Sequence, residues 1–371
     1  MLQDLLGIRV LLWTGSLIPT PRPEILAALR SVTVTNDSDS ADGFQLTFDV
    51  ARLPIGGYDV LATGALDLMN RVWIAAVIGV VPEVLIDGII TRHDVQASAE
   101  PGRSVLTVTG SDLTVKLDLE ERNEGHANQP DSVIVTKRLK AYPQLALVPA
   151  VIPTTDVPVE TDRTPNQAET DLQFIRRAAD RNGFVFYVEP KAIGVTVAYW
   201  GPPLRAGLLQ PALTVGMGAH ANVDSLSIGN DALAPVGATG SFVESFTKMK
   251  ISLPAVPPFR IPPLAARPAP VSRTTLLRDT AKSGAAGTAL ASLASAMNAP
   301  DAVRAQGELD AARYGHVLRA RQLAGVRGAG LDFDGVYYVR SVTHQIERGS
   351  YRQSFSLSRE GTMPTVPVVL P

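Results

Sequence analysis

The chain contains no cysteine and only five histidines, so thiolate nucleophiles, disulfides and cysteine-ligated metals are excluded. Any metal or acid–base chemistry must fall to His, Asp and Glu. His93 stands beside Asp94, and His344 lies three residues before Glu347, but neither pair has the further ligands a metal needs. Both histidines sit at the end of a β-type run, where a structural role accounts for them. Glu120, Glu121 and Glu124 could supply a glycosidase pair, one carboxyl protonating the leaving oxygen and the other attacking or activating water. Across 112–131, however, acids outnumber Lys116 and Arg122, which is the pattern of a solvated face. Gly216-Met217-Gly218 with Ala221 fits a loose dinucleotide fingerprint, yet 222–230 reads as strand or turn rather than the helix that the fingerprint requires. A P-loop, a Gly-x-Ser-x-Gly elbow and a His-Glu-x-x-His pair are all missing from the sequence. Tyr199-Trp200 before Gly201-Pro202-Pro203 could form a rigid turn that stacks on a sugar, or could pack in the core at a strand end. The residues therefore lead to no catalytic, cofactor or metal assignment.

The elements that would carry these residues are mainly β. A length of 371 residues predicts two or three domains, and 30 glycines with 28 prolines at 19% charged residues suit a turn-rich β protein. A net charge of −2 argues against an overall basic nucleic-acid binder or a polybasic membrane binder. The apolar stretch 5–18 is broken by Arg9, Thr14, Gly15 and Ser16, so it reads as an arm rather than a signal peptide or transmembrane helix.

Runs at 31–35, 44–50, 71–81, 84–93 and 104–110 predict five short strands in a small barrel or sandwich. Asp131 is expected to cap a helix over 132–142, and a more amphipathic helix follows over 169–181, ended by Asn182-Gly183. Strands at 184–189 and 195–199 complete a small α+β unit. Residues 248–278 hold six basic residues, no acid and seven prolines, which argues against a regular sheet or helix there. Together with the Ala-rich helix expected at 288–298, this makes 248–307 an insertion. A hairpin over 336–346 and 351–358 turns through Glu347-Arg348-Gly349-Ser350.

One internal repeat emerges. Asp87-Gly88 opens a run ending at His93, and Asp334-Gly335 opens a run ending at His344; a glycine follows each histidine by seventeen residues, Gly110 and Gly361. Two copies of one barrel in a single chain are the expectation.

Phe44-Gln45-Leu46-Thr47-Phe48, the run from Val84 to Thr91, Asp171 to Ile175, Asn182 to Phe186, Tyr199 to Pro203 and Asp334 to Gln345 resemble, in order and spacing, the late-control-D or baseplate-hub family. This is the family of contractile phage tails and contractile injection systems, including the hub portion of type VI spike proteins. The resemblance runs over 31–361. It implies two duplicated tube-like β-barrels plus a smaller α+β domain: an arm at 1–30, a first barrel at 31–115, a connecting α+β domain at 116–215, a second barrel at 216–247 and 308–361, the insertion, and a tail at 362–371. Asp87, Gly88, His93, Trp200, Gly201, Pro202, Pro203, Asp334, Gly335 and His344 are the structural positions of the shared motifs. It further implies a non-enzymatic homotrimer whose six barrels adapt a hexameric tail tube to a trimeric spike. Its partners would be the tube or tube-initiator protein, a separate spike chain and other baseplate proteins, with no nucleic-acid sequence recognition and no membrane insertion. Its place would be the tail baseplate of a virion or injection particle, assembled in the bacterial cytoplasm. Because only ten residues follow Gly361, the spike is expected on another chain. A carbohydrate-binding or hydrolytic tail component, using Tyr199, Trp200 and the Glu120–Glu124 patch, is the competing expectation.

Overall fold

The structure, a computed structural model, describes residues 8–365 except 17, 55, 101, 161–163, 245–246 and 278–283. The first seven residues of the expected arm, residues 278–283 of the expected insertion and the last six residues of the expected tail lie outside the described residues.

First along the chain come β1 (Arg9–Gly15), β2 (Thr20–Pro21), α1 (Pro23–Leu26), β3 (Leu29–Asp37), β4 (Gly43–Val50), α2 (Asp59–Ala62), β5 (Arg71–Ile78), β6 (Val81–Gln96) and β7 (Ser104–Asp112). A mixed segment follows: β8 (Glu121–Gly125), α3 (Asp131–Lys140), β9 (Leu147–Val151), β10 (Asn166–Thr170), α4 (Asp171–Asn182), β11 (Val185–Ala192) and β12 (Val195–Gly201). Next are β13 (Leu209–Thr214), β14 (Ser225–Asn230), β15 (Val236–Thr239), β16 (Ser241–Val243), β17 (Lys250–Ser252), β18 (Ala265–Pro268), β19 (Arg273–Leu276) and α5 (Gly284–Asn298). The chain ends with β20 (Val303–Asp310), α6 (Ala311–Tyr314), β21 (Leu323–Arg327), β22 (Gly335–Glu347), β23 (Ser350–Arg359) and β24 (Gly361–Pro364). The fold is mainly β with α+β additions, as the sequence leads one to expect.

Strict alternation builds the strands: in β4 Phe44, Leu46, Phe48 and Val50 face inward while Gln45, Thr47 and Asp49 face away. Thirteen strands form one sheet in the order β14-β20-β23-β22-β3-β4-β7-β6-β5-β1-β2, with β21 on β22 and β13 on β21. Strands far apart in this order share a core. Leu12 of β1 and Val34 of β3 meet Leu46, Ile74, Ile86 and Val108 in one cluster, so the first β unit curls around its own interior. Val303, Val326, Val339, Phe355 and Leu357 fill a second interior in the second β unit.

The two units repeat one plan. The order β3-β4-β7-β6-β5 recurs as β14-β20-β23-β22-β21. Each long strand carries a bulge where it changes partners, between Ile90 and Arg92 in β6 and between Val339 and Ser341 in β22. Before β5 and β21, Met69 and Arg321 both adopt left-handed backbone, φ 68° and 64°. Their N–H groups donate to Ile90 O and Val339 O, each at 2.8 Å. Superposing the bulges sets Ser31 to Asp37 (S-V-T-V-T-N-D) upon Ser225 to Asp231 (S-L-S-I-G-N-D), and Asp37 and Asp231 each accept a turn N–H two residues on.

That register corrects the repeat expected from sequence. Asp87-Gly88 lies in the middle of β6, whereas Asp334-Gly335 stands at the start of β22, and His93 corresponds to Val342 rather than to His344.

Other differences have local causes. The arm is built into the sheet, because β1 pairs with β5 from Arg9↔Val77 to Gly15↔Arg71. Pro130, not Asp131, occupies the N-cap of α3; Asp131 instead pairs with Arg181 and accepts from Asn182 of α4. The 248–278 segment does hold short strands, because pairings of three or four residues fit between its prolines in β17 with β16 and β19 with β15, and Pro268 is tolerated at the end of β18, which pairs with β24. β15 and β16 thereby join the insertion rather than the sheet of the second unit. β20, which starts at Val303 inside the expected insertion, belongs to that sheet. The insertion thus occupies the β14–β20 connection, whose counterpart in the first unit is the loop 38–42.

Candidate functional site: the joint between the two β units

No His-, Asp- or Glu-lined centre organises the molecule: among the described residues no three such side chains converge as a metal site would require. The feature that the fold builds most elaborately is the joint between units. There β3 of the first lies antiparallel on β22 of the second, from Ser341↔Asp37 to Glu347↔Ser31, so the sheet crosses from one interior to the other.

Buried charge locks this joint. Arg321, held in its left-handed turn, reaches across to Asp42 with Nη1–Oδ2 at 3.0 Å and Nη2–Oδ1 at 2.5 Å, and also donates to Asp37 O. Asp42 is further held by Asn36 Nδ2 at 2.9 Å and by Asp37 N at 3.0 Å. The facing carboxylate raises the Arg321 pKa against the opposing cost of its burial, so the guanidinium stays charged. Its far face lies 4.4 Å from the centre of the Tyr187 ring, which brings the α+β unit into the same joint. Behind Asp42, Asp112 accepts from Asp42 N at 2.9 Å and Thr114 N at 2.9 Å. Burial first, then repulsion by Asp42, pushes the Asp112 carboxyl up to about 6. A second strut runs from Arg319 to Glu83 at 2.9 Å and to Val84 O at 2.5 Å.

The residues singled out in the sequence surround this joint without forming a catalytic set. Asp87 is buried in β6, bound by Arg71 at 2.6 Å and by Thr196 Oγ1 at 2.5 Å, and so anchors the α+β unit to the first β unit. Gly88 lies against the Phe44 ring, where a Cβ would come within 2.8 Å of it. His93 Nε2 meets Leu66 O at 2.6 Å. His344 is fully buried with Nδ1 3.0 Å from the Tyr351 hydroxyl, and burial followed by the nearby Arg319 charge lowers its pKa to about 3, so it is neutral at pH 7. Asp334 caps the turn before β22 through Ala329 N at 2.8 Å, and Gly335 has φ +124° with the Arg359 guanidinium where a Cβ would project. His344 stands in β22 opposite Val34 at the joint, Asp87 holds the α+β unit to the first β unit, and Asp334 caps a turn of the second, so the three serve separate contacts.

Trp200 is buried, its indole N–H donating to Ile175 O at 3.1 Å and its ring edge-on to Phe184 at 4.8 Å, so it offers no face to a sugar. Gly201 packs against Ile152 and the Tyr199 ring, Tyr199 donates to Pro202 O at 2.7 Å, and Pro203 reaches the rim of a cleft of about 440 Å³. Two of the three aspartates in that cleft bind arginines, Asp301 with Arg205 and Arg260 and Asp39 with Arg340, while burial raises the pKa of the third, Asp180. Of the acidic patch, Glu121 and Glu124 lie in β8, paired with β10, and Glu124 binds Arg138 at 2.5 Å.

Sequence reasoning missed Arg321, Asp42 and Asp112. The available signal was the likeness of 31–37 to 225–231, which marks β3 and β14 as equivalent strands and so directs attention to what adjoins them.

No protein-family model and no curated protein matches the chain. Solved structures do. A tail protein from Neisseria meningitidis matches with a TM-score of 0.61 at 15% identity, over 96% of this chain and 98% of its own. A 43 kDa tail protein of prophage MuSo2 from Shewanella oneidensis matches with a TM-score of 0.62 at 13% identity, over 95% and 98%. An E. coli component of the type VI secretion system, itself described as structurally similar to phage T4 tail proteins gp27 and gp5, matches with a TM-score of 0.55 at 14% identity, over 92% and 77%. The fold is therefore one found in phage tail proteins and in a type VI secretion component.

Proposed function

We propose that this chain is a structural baseplate hub subunit of a contractile tail or injection system. Three copies close into a ring of six β units that adapts a hexameric tail tube to a trimeric spike. The observation that carries the reading is the paired architecture: two β units of one plan, joined strand to strand and locked by a buried Arg321–Asp42 pair. Six similar surfaces from three chains are what a three-fold to six-fold adaptor needs, and a rigid joint holds the two surfaces of each chain at a fixed angle. The shared fold with tail proteins supports the setting, a tail baseplate assembled in the bacterial cytoplasm. Partners in this reading are the tube or tube initiator, the spike and other baseplate proteins. The role is assembly rather than catalysis, and the domain ranges implied by the resemblance are proposed with it, adjusted to the strand memberships above.

The test is the mass of the purified full chain by light scattering, followed by imaging. Three chains per particle and a ring with a continuous lumen are expected. A compact monomer at high concentration overturns the reading.

A further inference from the structure

The two strand edges that meet at the joint recur on the same chain in uncovered form. The shared strand order and bulge register make β14 the counterpart of β3, and the C-terminal half of β6 the counterpart of the C-terminal half of β22. Among the described residues β14 ends the sheet, and β5 leaves β6 at Ile89, so residues 92–96 pair with β7 on one side alone.

We propose that these edges join copies of the chain: β14 of one pairs antiparallel with residues 92–96 of β6 in the next, repeating between chains the β3–β22 joint found within each. The inference rests on the ring reading, which requires that copies assemble but does not say through which strands.

Burial supports it position by position. On the β6 side Leu68, Met69 and Val95 are 54%, 39% and 39% exposed, whereas their counterparts at the internal joint, Ala320, Arg321 and His344, are 7%, 4% and 0% exposed. On the other side Leu226 and Ile228 of β14 are half-buried, while Val32 and Val34 of β3, whose edge is paired with β22, are fully buried. Apolar side chains thus stand exposed at the positions that the internal joint covers. An open edge of this kind is a template for another strand.

The internal register fixes the external one. His344↔Val34 becomes Val95 opposite Ile228 of the next copy, and Ser341↔Asp37 becomes Arg92 opposite Asp231. The second pairing sets the exposed Arg92 guanidinium, which within the chain binds Asp94 at 2.7 Å, against a second carboxylate. The contact is head-to-tail, so it closes only as a ring. It also differs from the internal joint in one respect: Met69 and Val303 stand where Arg321 and Asp42 form their pair, so the joint between chains lacks the buried ionic lock.

The absence of native cysteine makes the test direct. Directly opposed residues of an antiparallel pair lie about 4.5–5.5 Å apart at Cα, within disulfide reach. The full chain carrying Val95→Cys and Ile228→Cys, oxidised where light scattering shows the trimer, is expected to give a three-chain species on a non-reducing denaturing gel. An equimolar mixture of the two single variants is expected to stop at two chains. Arg92→Cys with Asp231→Cys checks the same register at exposed positions outside both cores, where the substitutions remove only the local Arg92–Asp94 pair and the Asp231 turn bond. In a third arm, Arg92→Asp or Asp231→Arg alone is expected to weaken trimer formation at least tenfold, and the two together to restore it. A trimer that forms without cross-link in either cysteine pair overturns this joint and leaves the ring standing. A chain that remains monomeric overturns both.

Discussion

Asp42 and Arg321 show how much one ion pair can decide when both partners are buried. Neither could be left alone in that environment: removing one leaves an uncompensated charge, at a cost of ~3–5 kcal/mol. Arg321→Ala is therefore expected to lower stability by about that amount in urea unfolding. Replacing both residues together with apolar ones is expected to recover most of the loss, because no lone charge remains. A single substitution costing less than ~1 kcal/mol would show that the pair contributes little. Asp112, directly behind, carries the pH dependence. Its folded pKa of about 6 lies above the ordinary carboxylate value, so the folded chain binds its proton more tightly than the unfolded chain. Its effect on stability is absent below the unfolded value of ~4, grows as pH rises, and is complete above about 6, where ionised Asp112 opposes folding. Thermal melts of Asp112→Asn and the parent chain between pH 4 and 7 are expected to diverge in the variant's favour by up to ~3 kcal/mol. Parallel curves would show that Asp112 titrates alike in both states.

Among the elements, the β4–β7–β6 ladder depends on side chains that are missing. The Phe44 ring of β4 lies on the backbone of Gly88 and Gly110, and a Cβ on Gly110 would come within 2.2 Å of Ile89 O and 2.4 Å of the ring. Gly110→Ala is expected to cost ~1–3 kcal/mol through overpacking. Gly43→Ala in β4 is the control: its Cβ would meet only Gly110 O, at 3.6 Å, and a stability change within ~1 kcal/mol is expected. Equal losses at the two positions in chemical unfolding would remove close packing as the cause. The α4 helix shows another form of backbone control. Thr170 caps its start by accepting Gln173 N at 3.3 Å, and Gly183 ends it in left-handed backbone, φ +69°.

At the scale of the whole molecule, that same Gly183 is where the insertion docks on the α+β unit. A Cβ there would lie 2.9 Å from Ala294 Cα and 3.5 Å from Met297 Cβ of α5. Gly183→Val both strains the helix end and pushes α5 away. Limited trypsin digestion is expected to cut within 248–278 at least several-fold faster in this variant, while the strand signal in circular dichroism is retained. Unchanged cleavage would mean that the insertion is held elsewhere, for instance by the Arg260–Asp301 pair. The insertion otherwise bridges units: Arg260 and Arg205 converge on Asp301, just ahead of β20, with Ser358 of β23 donating to the same carboxylate at 2.6 Å.

The strands, the α4 helix with its glycine stop, and the mainly β class were determined by local chemistry: alternation in 44–50 and 351–358, an amphipathic stripe from Leu172 to Ala179, and Asn182-Gly183. Those signals act within a dozen residues, so they can be read without knowing the fold. Pairings across long separations could not be read in this way. Ser31 to Asp37 gives no local sign that it will lie on β22 some three hundred residues later, and Arg321 and Asp42 are unremarkable until the joint brings them together. The burial of Trp200, which removes its face from any sugar, was likewise decided by α4 and Phe184 packing over it. The repeat itself was partly encoded in the chain, in S-V-T-V-T-N-D and S-L-S-I-G-N-D. Its register became visible only through the bulges at Ile90 and Val339, because a bulge is a property of two paired strands, and sequence alone does not say which strands pair.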